Sequence, residues 1–399
     1  MNQVVIVDAK RTPFGRYRGA LAALSPVDLA VQAADAMLTR IDRSLVDQVI
    51  LGNVLSAGQG MNVARQVAIK LELPLRTPAW SVNMMCGSGL QSALAAVTAI
   101  RAGEARVVLV GGTESMSQAP LLVARPSKGQ TPDATAAIDS MQCDGLIDSF
   151  SGRHMGWQAE ALATRFQISR DTQDAFAHRS QQLFAAAQTA GLLKDELVAV
   201  AALDADQHPR PEISRDDLAA LQPVFDPAGS VTAGNASGVN DGAAVALLAE
   251  REFALSQGWP VLAQWIDGVV VGVDPQQMGL GPVPAIETLL QRTRRPWEAI
   301  DTLEINEAFA AQSLACLDQL GLALDVSKVN QHARLLSGHR LEFNSEGGAI
   351  AVGHPLAASG GRLLGHLAWK IARGQSRCAI GALCIGGGMG IAALLAAAD

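Results

Sequence analysis

The chain repeats its own punctuation, and that repeat limits the folds open to it. Ser88-Gly89 starts a run with apolar residues at helical spacing: Leu90, Ala93, Leu94, Val97 and Ile100. Gly103 is a natural helix stop, and Arg106 opens a strand-like run that ends at Gly111-Gly112. Ser359-Gly360, Gly374 and Arg377 mark the same events again, ahead of Gly386-Gly387-Gly388. The offset is 271 residues each time (88 to 359, 89 to 360, 103 to 374, 106 to 377). One offset shared by four landmarks predicts two similar α/β halves. A site between such halves collects loops from both.

Composition agrees with a layered α/β enzyme. The 399 residues are 49% hydrophobic and 17% charged, which excludes a disordered chain or a coiled coil. Aromatics are only 4%, so the core is packed with Ala, Val, Leu and Ile. At about 150 residues per domain, two to three domains are expected. Strand-like runs at 4–7, 48–51 and 106–110 alternate with helical runs at 26–41 (Ser25 as N-cap), 63–71 and 88–103. Between about 120 and 238 the chain is more polar and loop-rich, with a helix over 169–190. This reads as an insertion. The expected division is residues 1–118 with 240–262, an inserted loop domain at 119–239, and a second half at 263–399.

The net charge, 31 − 38 = −7, argues against nucleic acid as partner while leaving room for a local basic patch. Five cysteines is an odd count, which favours free thiols over a disulfide framework. No window reaches 18 uncharged apolar residues, and the N-terminus lacks a targeting pattern; no membrane partner and a cytoplasmic location are expected.

Four segments carry candidate chemistry. Cys86, in Asn83-Met-Met-Cys-Gly-Ser-Gly89, stands where extended chain meets a helix start. The free N–H groups and dipole there favour a thiolate, the nucleophile for acyl transfer. The plain alternative is an inert buried thiol. His354, before Pro355, falls on the counterpart of the Cys86 loop, so a twofold relation of the halves brings the two together; an imidazole there can take a thiol proton. The alternative is a turn histidine. Cys384 precedes Gly386-Gly387-Gly388, as an acid or base beside an N–H-rich turn, or as a core residue of the final strand. Asn306 can polarise a carbonyl or hold a water; equally it can be a helix N-cap. The Cys378/Cys384 spacing does not suit zinc, and no metal is expected.

Taken together, the Cys86 segment, Asn306-Glu-Ala-Phe-Ala310, Gly348-Ala-Ile-Ala-Val-Gly-His-Pro355 and Cys384-Ile-Gly-Gly-Gly-Met-Gly390 resemble the thiolase family, in order and across essentially the whole chain. His154-Met155-Gly156 and Val231-Thr-Ala-Gly-Asn-Ala-Ser-Gly238 look most like its acetyl-CoA acetyltransferases, the acetoacetyl-CoA thiolases. The resemblance implies an α/β thiolase-like fold: two halves with mixed five-stranded sheets in a layered α/β/α/β/α arrangement, plus the loop domain. It implies condensation of two acetyl-CoA to acetoacetyl-CoA and CoA, and the reverse, with no cofactor beyond CoA thioesters. The alternatives are a 3-ketoacyl-CoA thiolase of longer chain length and, remotely, a non-catalytic acyl-CoA-binding protein.

The roles are implied likewise. Cys86 is acylated. His354 activates it and shares an oxyanion hole with a water held by Asn306. Cys384 moves the Cα proton, and the N–H groups of Cys86 and Gly386 form a second oxyanion hole. His154, Met155, Phe225, Ser237 and Met278 line the pantetheine and acyl region, Arg210 lies near the adenine nucleotide or is a surface arginine, and Ala308 and Phe309 close the acyl end. A dimer or tetramer is implied. Two departures stand out. Val329-Asn330 is followed by a run, 331–346, that reads as a surface insertion, a pocket cover, a CoA-phosphate contact or an interface element. Trp157-Gln158 replaces smaller residues and leaves fine specificity open.

Overall fold

The computed structural model describes every residue except 1, 130, 201–202, 330–331, 336 and 399. The first half runs β1 (Val4–Arg11), α1 (Pro26–Met37), β2 (Gln48–Gly52), α2 (Val63–Lys70), β3 (Ala79–Val82), α3 (Ser88–Ala102), β4 (Val107–Ser115). Two longer helices of the intervening segment follow, α4 (Gly156–Arg165) and α5 (Arg170–Thr189), and β5 (Asn240–Glu250) closes the half. The second half runs β6 (Ala263–Gly272), α6 (Pro282–Thr293), β7 (Thr302–Ile305), α7 (Ala310–Gln319), β8 (Arg340–Phe343), α8 (Ala358–Ala372), β9 (Cys378–Ile385) and β10 (Met389–Ala396).

The two halves share one topology. The first sheet is ordered β3-β2-β4-β5-β1 and the second β8-β7-β9-β10-β6. In each, the first three neighbours pair parallel and the last two pairings are antiparallel. The sheets meet through antiparallel pairing of β1 with β6. The repeat expected from the landmarks is therefore a unit of five strands and three helices, present twice. Its register holds to within a residue: α3 starts at 88 and α8 at 358, and Gly103 and Gly374 both take the left-handed conformation just past their helices.

Strand alternation builds the layers. Side chains on a strand point alternately to opposite faces. In β4, Val107 and Leu109 join the outer core with α1 and α2, whereas Val108 and Val110 join a central core with α3 and α8. In β9, Ala379 and Leu383 face that central core, and Ile380 and Ala382 face the outer core with α6 and α7. The order is helices, sheet, helices, sheet, helices. Helices on both faces explain why these strands are apolar throughout. Ser25 caps α1 in a capping box with Asp28, as expected from sequence, and Ser169 caps α5.

The run after Val329 is a surface insertion only in its first part, where residues 332, 334, 337 and 338 are exposed. Residues 340–343 form β8, the fifth strand of the second sheet, and Ala333–Leu335 pairs on its outer side as a hairpin. Asn344 then bonds both backbone groups of Ile305 and the Glu307 carboxylate. Phe343-Asn344, not Val329-Asn330, thus leads the chain into Gly347-Gly348; Asn330 itself lies outside the described residues. None of the described residues of this run lines the main cavity.

The central helices approach to backbone contact. A Cβ on Gly89 would sit 2.5 Å from the Ala357 carbonyl oxygen and 2.6 Å from the Gly361 nitrogen. A Cβ on Gly360 would sit 2.5 Å from the Leu90 nitrogen. Both obstacles are backbone, which cannot swing aside. Gly89→Val is expected to cost about 1–3 kcal/mol or more in urea unfolding. It also moves the residues just before each helix apart, so reactivity of the Cys86 thiol toward acylating reagents is expected to fall. A variant of unchanged stability would show that this crossing is not tight.

Candidate active site

Cys86 sits one residue before the Gly87 N-cap of α3. Met85, its neighbour, has a φ of 46°, a strained value for a side chain of that size. The turn presents the thiol at the helix start. His354 lies in the turn that leads into α8, after Gly353, whose φ is 104°. The helix crossing brings these turns together, and His354 Nε2 is 3.3 Å from Cys86 Sγ.

The histidine's tautomer follows from its neighbours. Ser359 Oγ is bonded to the Pro355 carbonyl at 3.0 Å, which takes the hydroxyl proton, and lies 2.5 Å from His354 Nδ1. Nδ1–H therefore donates to Oγ, and Nε2 keeps a free lone pair facing the thiol. The His354 backbone N–H donates to Asn240 Oδ1, which fixes the turn. Asn306 does not cap a helix: α7 starts at Ala310 with Phe309 at its N-cap position. Asn306 is buried behind His354, with Nδ2 3.5 Å from Nδ1.

Burial sets the charge states. It pushes the Cys86 thiol up to about 11, against the N–H groups of Gly386 and of Cys86 itself, which favour the thiolate. Burial likewise pushes His354 down to about 4. The pair at rest is thiol and neutral imidazole. Cys384 is raised well above the usual thiol value by burial, then by negative charge at Cys86. It lies at the inner end of β9, the penultimate strand rather than the final one, within an apolar cluster of Met155, Met278, Ala308 and Phe309.

Cys86, His354, Cys384 and Gly386 share one cavity of about 480 Å³. Its wall also includes His154, Met155, Arg210, Phe225, Ser237, Met278, Ala308 and Phe309. Asn306 alone among the expected site residues is off this wall. His154 stacks on Phe225 with ring centres 4.5 Å apart, and Phe225 meets Phe309 edge-on. Ser237 N–H donates to the Ala308 carbonyl, which docks the 231–238 loop on the second half. Arg210 is exposed, at the cavity's rim. Trp157 and Gln158 do not line it.

Sequence reasoning missed several wall residues: Gln142, Leu146, Thr232 and His208, which burial holds down to about 4. His208 is two residues from Arg210, and that proximity was the available signal. It also missed Ser359 and Asn240 as holders of His354. Cys316 and Cys378 are core residues of the second half's outer layer, and Cys143 is half-buried beside Asp144. Among the described residues no group of three or more His, Cys, Asp or Glu could hold a metal ion, and no helix is long and apolar enough to cross a membrane.

Comparison with known proteins gives the same outline. Residues 4–252 match the family described as thiolase, N-terminal domain, and residues 259–397 match thiolase, C-terminal domain. A probable acetyl-CoA acetyltransferase of Escherichia coli (strain K12) is 42% identical over 98% of both chains. An acetyl-CoA acetyltransferase of Pseudomonas aeruginosa is 42% identical over 99% of this chain and 100% of that one. The crystal structure of human mitochondrial 3-ketoacyl-CoA thiolase in complex with CoA superposes with a TM-score of 0.91 at 39% identity, covering 100% of this chain and 98% of that one. Bacillus anthracis acetyl-CoA acetyltransferase gives 0.91 at 35% identity, covering 100% and 99%.

The buried imidazole has a consequence for stability. Its folded pKa, about 4, lies below the unfolded value of 6.5, so the unfolded chain gains a proton that the folded chain refuses. This site costs nothing above pH 6.5, and stability is lost as pH falls from there toward 4. By pH 5 the loss is about 2 kcal/mol. Urea unfolding at pH 7.5 and 5.0 of the wild type and His354→Asn is expected to show that difference narrowing in the variant. An equal pH dependence in both would mean that His354 is not held neutral.

Proposed function

The chain belongs to the thiolase family, and we propose that it is an acetyl-CoA C-acetyltransferase working through an acetyl-Cys86 intermediate. The observation that carries the reading is the 3.3 Å contact of Cys86 Sγ with His354 Nε2, in the cavity that also holds Cys384 and Gly386. The relatives named acetyl-CoA acetyltransferase, similar over their full length, support the same substrate.

The steps follow from the groups present. Sγ attacks the thioester carbonyl of the first acetyl-CoA as its proton passes to Nε2. Nδ1–H stays on Ser359 Oγ, so the imidazolium forms in one orientation. The C–S bond of the substrate breaks and the CoA thiolate takes the proton from Nε2. Cys384 first gives up its thiol proton to solvent, and a second acetyl-CoA then loses a Cα proton to the resulting thiolate. A thiolate whose conjugate acid is as weak as Cys384's is a strong base, which a weakly acidic C–H requires. The carbanion attacks the acetyl carbonyl on Cys86, and the N–H groups of Cys86 and Gly386 meet the developing oxyanion. Collapse frees acetoacetyl-CoA and releases Sγ as a thiolate, which takes the proton that Cys384 gained and leaves Cys384 a thiolate for the next turnover. Thiolysis is the reverse, with the Cys384 thiol as proton donor.

The walls favour a short acyl group. Met155, Met278, Phe225 and Phe309 enclose the end of the cavity, and steric exclusion discriminates more sharply than methylene-by-methylene affinity. Arg210 at the rim serves the charged part of CoA. The segment 119–239 acts as the CoA-binding domain between halves 1–118 with 240–262 and 263–399. No further cofactor is required, the enzyme is placed in the cytoplasm, and it assembles as a dimer or tetramer. The 3-ketoacyl-CoA thiolase among the similar structures keeps longer-chain thiolysis as the second reading.

Mass spectrometry after mixing with acetyl-CoA is expected to show one acetyl group on Cys86, absent in Cys86→Ala. Cys384→Ala is expected to keep the adduct and to lose condensation by about 10²-fold or more, the range for a missing acid or base. Normal condensation by that variant would remove Cys384 from its role. Steady-state thiolysis of a C4 to C16 series of 3-ketoacyl-CoA substrates is expected to peak at C4. Activity confined to C8 and longer would favour the second reading.

A further inference from the structure

Consecutive residues in the middle of α5, Arg179 to Gln182, each bond outside the helix. Arg179 Nη2 donates to the Phe343 carbonyl at 2.9 Å. The Ser180 hydroxyl donates to Glu307 at 2.6 Å and accepts from the Gly348 N–H at 3.0 Å. Gln181 Nε2 donates to the Ile350 carbonyl at 3.2 Å, while its Oε1 accepts from the Arg210 N–H at 2.8 Å. Gln182 Nε2 donates to the Pro211 carbonyl at 2.9 Å. Arg179, Ser180 and Gln181 are buried, and polar groups buried on a helix need such partners. Arg179, Ser180 and the Gln181 amide N–H dock α5 on the second half. The Gln181 oxygen and Gln182 hold something else, the stretch of chain that carries Arg210.

Residues 207–211 form neither helix nor strand, so their placement depends on bonds from elsewhere. They are pinned at both ends. Upstream, the Gln207 N–H donates to the Phe14 carbonyl at 2.9 Å, and Gln207 Oε1 accepts from the Arg16 and Ala20 N–H groups. Downstream, adjacent backbone groups of Arg210 and Pro211 are taken by adjacent glutamines. Pro211 also restricts Arg210, the residue before it, toward extended backbone. Between the pins, His208 and Arg210 line the main cavity, and a Cβ on Gly238 would come within 2.2 Å of the His208 ring. Burial, and then the positive charges of Arg210 and Arg16, push His208 down to about 4, so this part of the rim is electropositive.

We infer that Gln181 and Gln182 are positioning residues for the nucleotide end of the CoA thioester, which they serve by clamping the backbone at Arg210 and Pro211. The inference rests on the thiolase reading of the main cavity. Neither glutamine lines that cavity, so both act through Arg210. Cys86 is buried and Arg210 is exposed at the rim, so the clamp affects how tightly the nucleotide is held and not the transfer of the acyl group. The Gln181 bond to Ile350 reaches the turn that leads to His354. Gln182 has no such bond, and it therefore separates the clamp from any effect on the histidine.

The test follows the rate of Cys86 acetylation against concentration for acetyl-CoA and for S-acetylpantetheine, which has the same arm without the nucleotide. Gln182→Ala is expected to raise the half-saturating concentration of acetyl-CoA by about threefold or more, the worth of one hydrogen bond, with the maximal rate unchanged. Gln181→Leu, close in volume, is expected to raise it further. Neither variant is expected to change half-saturation by S-acetylpantetheine, whereas general loosening of the fold would weaken both thioesters. In an Arg210→Ala background Gln182→Ala is expected to add nothing, because the clamp acts through that residue. Gln182 is half-buried, so Gln182→Ala carries the test if Gln181→Leu does not fold. A Gln182→Ala variant with unchanged half-saturation by acetyl-CoA, or with equal losses for the two thioesters, overturns the clamp, as does full additivity with Arg210→Ala. A wild type that takes both thioesters equally well overturns it too, while leaving the thiolase reading in place. A wild type acetylated by neither overturns the thiolase reading, and the clamp with it.

Discussion

The structure depends on one close crossing, where the first turns of α3 and α8 meet without side chains between them. Gly89 and Gly360 make that approach possible, and Gly361 lets α8 lie against the Ala244 carbonyl of β5. Gly112, on β4, abuts the Ala357 carbonyl in the same place. Each half supplies one helix and, just ahead of it, one reactive side chain. The crossing therefore converts a duplicated topology into a single pair, Cys86 with His354. Glu114 reinforces it: its carboxylate accepts from Val54, Leu55 and Ala357 N–H groups, which ties the first sheet's loops to the start of α8.

Closing the site this tightly also sets its electrostatics. Burial acts oppositely on an acid and a base, raising the Cys86 thiol to about 11 and lowering the His354 imidazole to about 4. Both effects disfavour a standing ion pair, so in the proposed reaction proton transfer is confined to the moment of attack. What remains to stabilise charge is fixed in advance: the α3 start, the N–H groups of Cys86 and Gly386, and a serine that leaves the imidazole one available tautomer. These dipoles need no reorganisation when charge appears, which is the condition for effective electrostatic stabilisation.

How much of this was legible in sequence follows from what kind of interaction each feature reflects. The duplication was legible because turns and helix stops are local, and a glycine stop at 103 and at 374 marks both copies. The cavity wall was legible where short motifs carried it, as at His154-Met155. Features made by distant pairing were not. Residues 340–343 look like an insertion because a strand of four residues has weak periodicity, and only its pairing with β7 reveals it. Asn306 sits before a helical run and invited a capping role, but the helix starts four residues later and the amide turns toward His354. Ser359 was in view as a helix landmark, yet its bond to Nδ1 depends on the turn geometry.

A second device keeps α8, and with it the His354 turn, in register with the rest of the molecule. Arg11 of β1 bonds Glu196 and Asp206 of the intervening segment, and His366 of α8 bonds Glu196 from the other side. Lys370, one turn further along α8, bonds Glu342, the last but one residue of β8, and Glu346. Burial pushes Glu196 upward, but Arg11 and His366 outweigh it and hold the carboxylate well below its usual range. Charges this deeply buried offset much of their own attraction through desolvation, so the network adds little net stability compared with apolar packing. Its contribution is orientation. Removing any one partner strands a buried charge, so alternative settings of α8 against β1 and the intervening segment are disfavoured. The helix crossing sets how close the two halves come, and the ionic network sets how α8 lies along that contact. Both are needed before a 3.3 Å thiol–imidazole contact is reproducible.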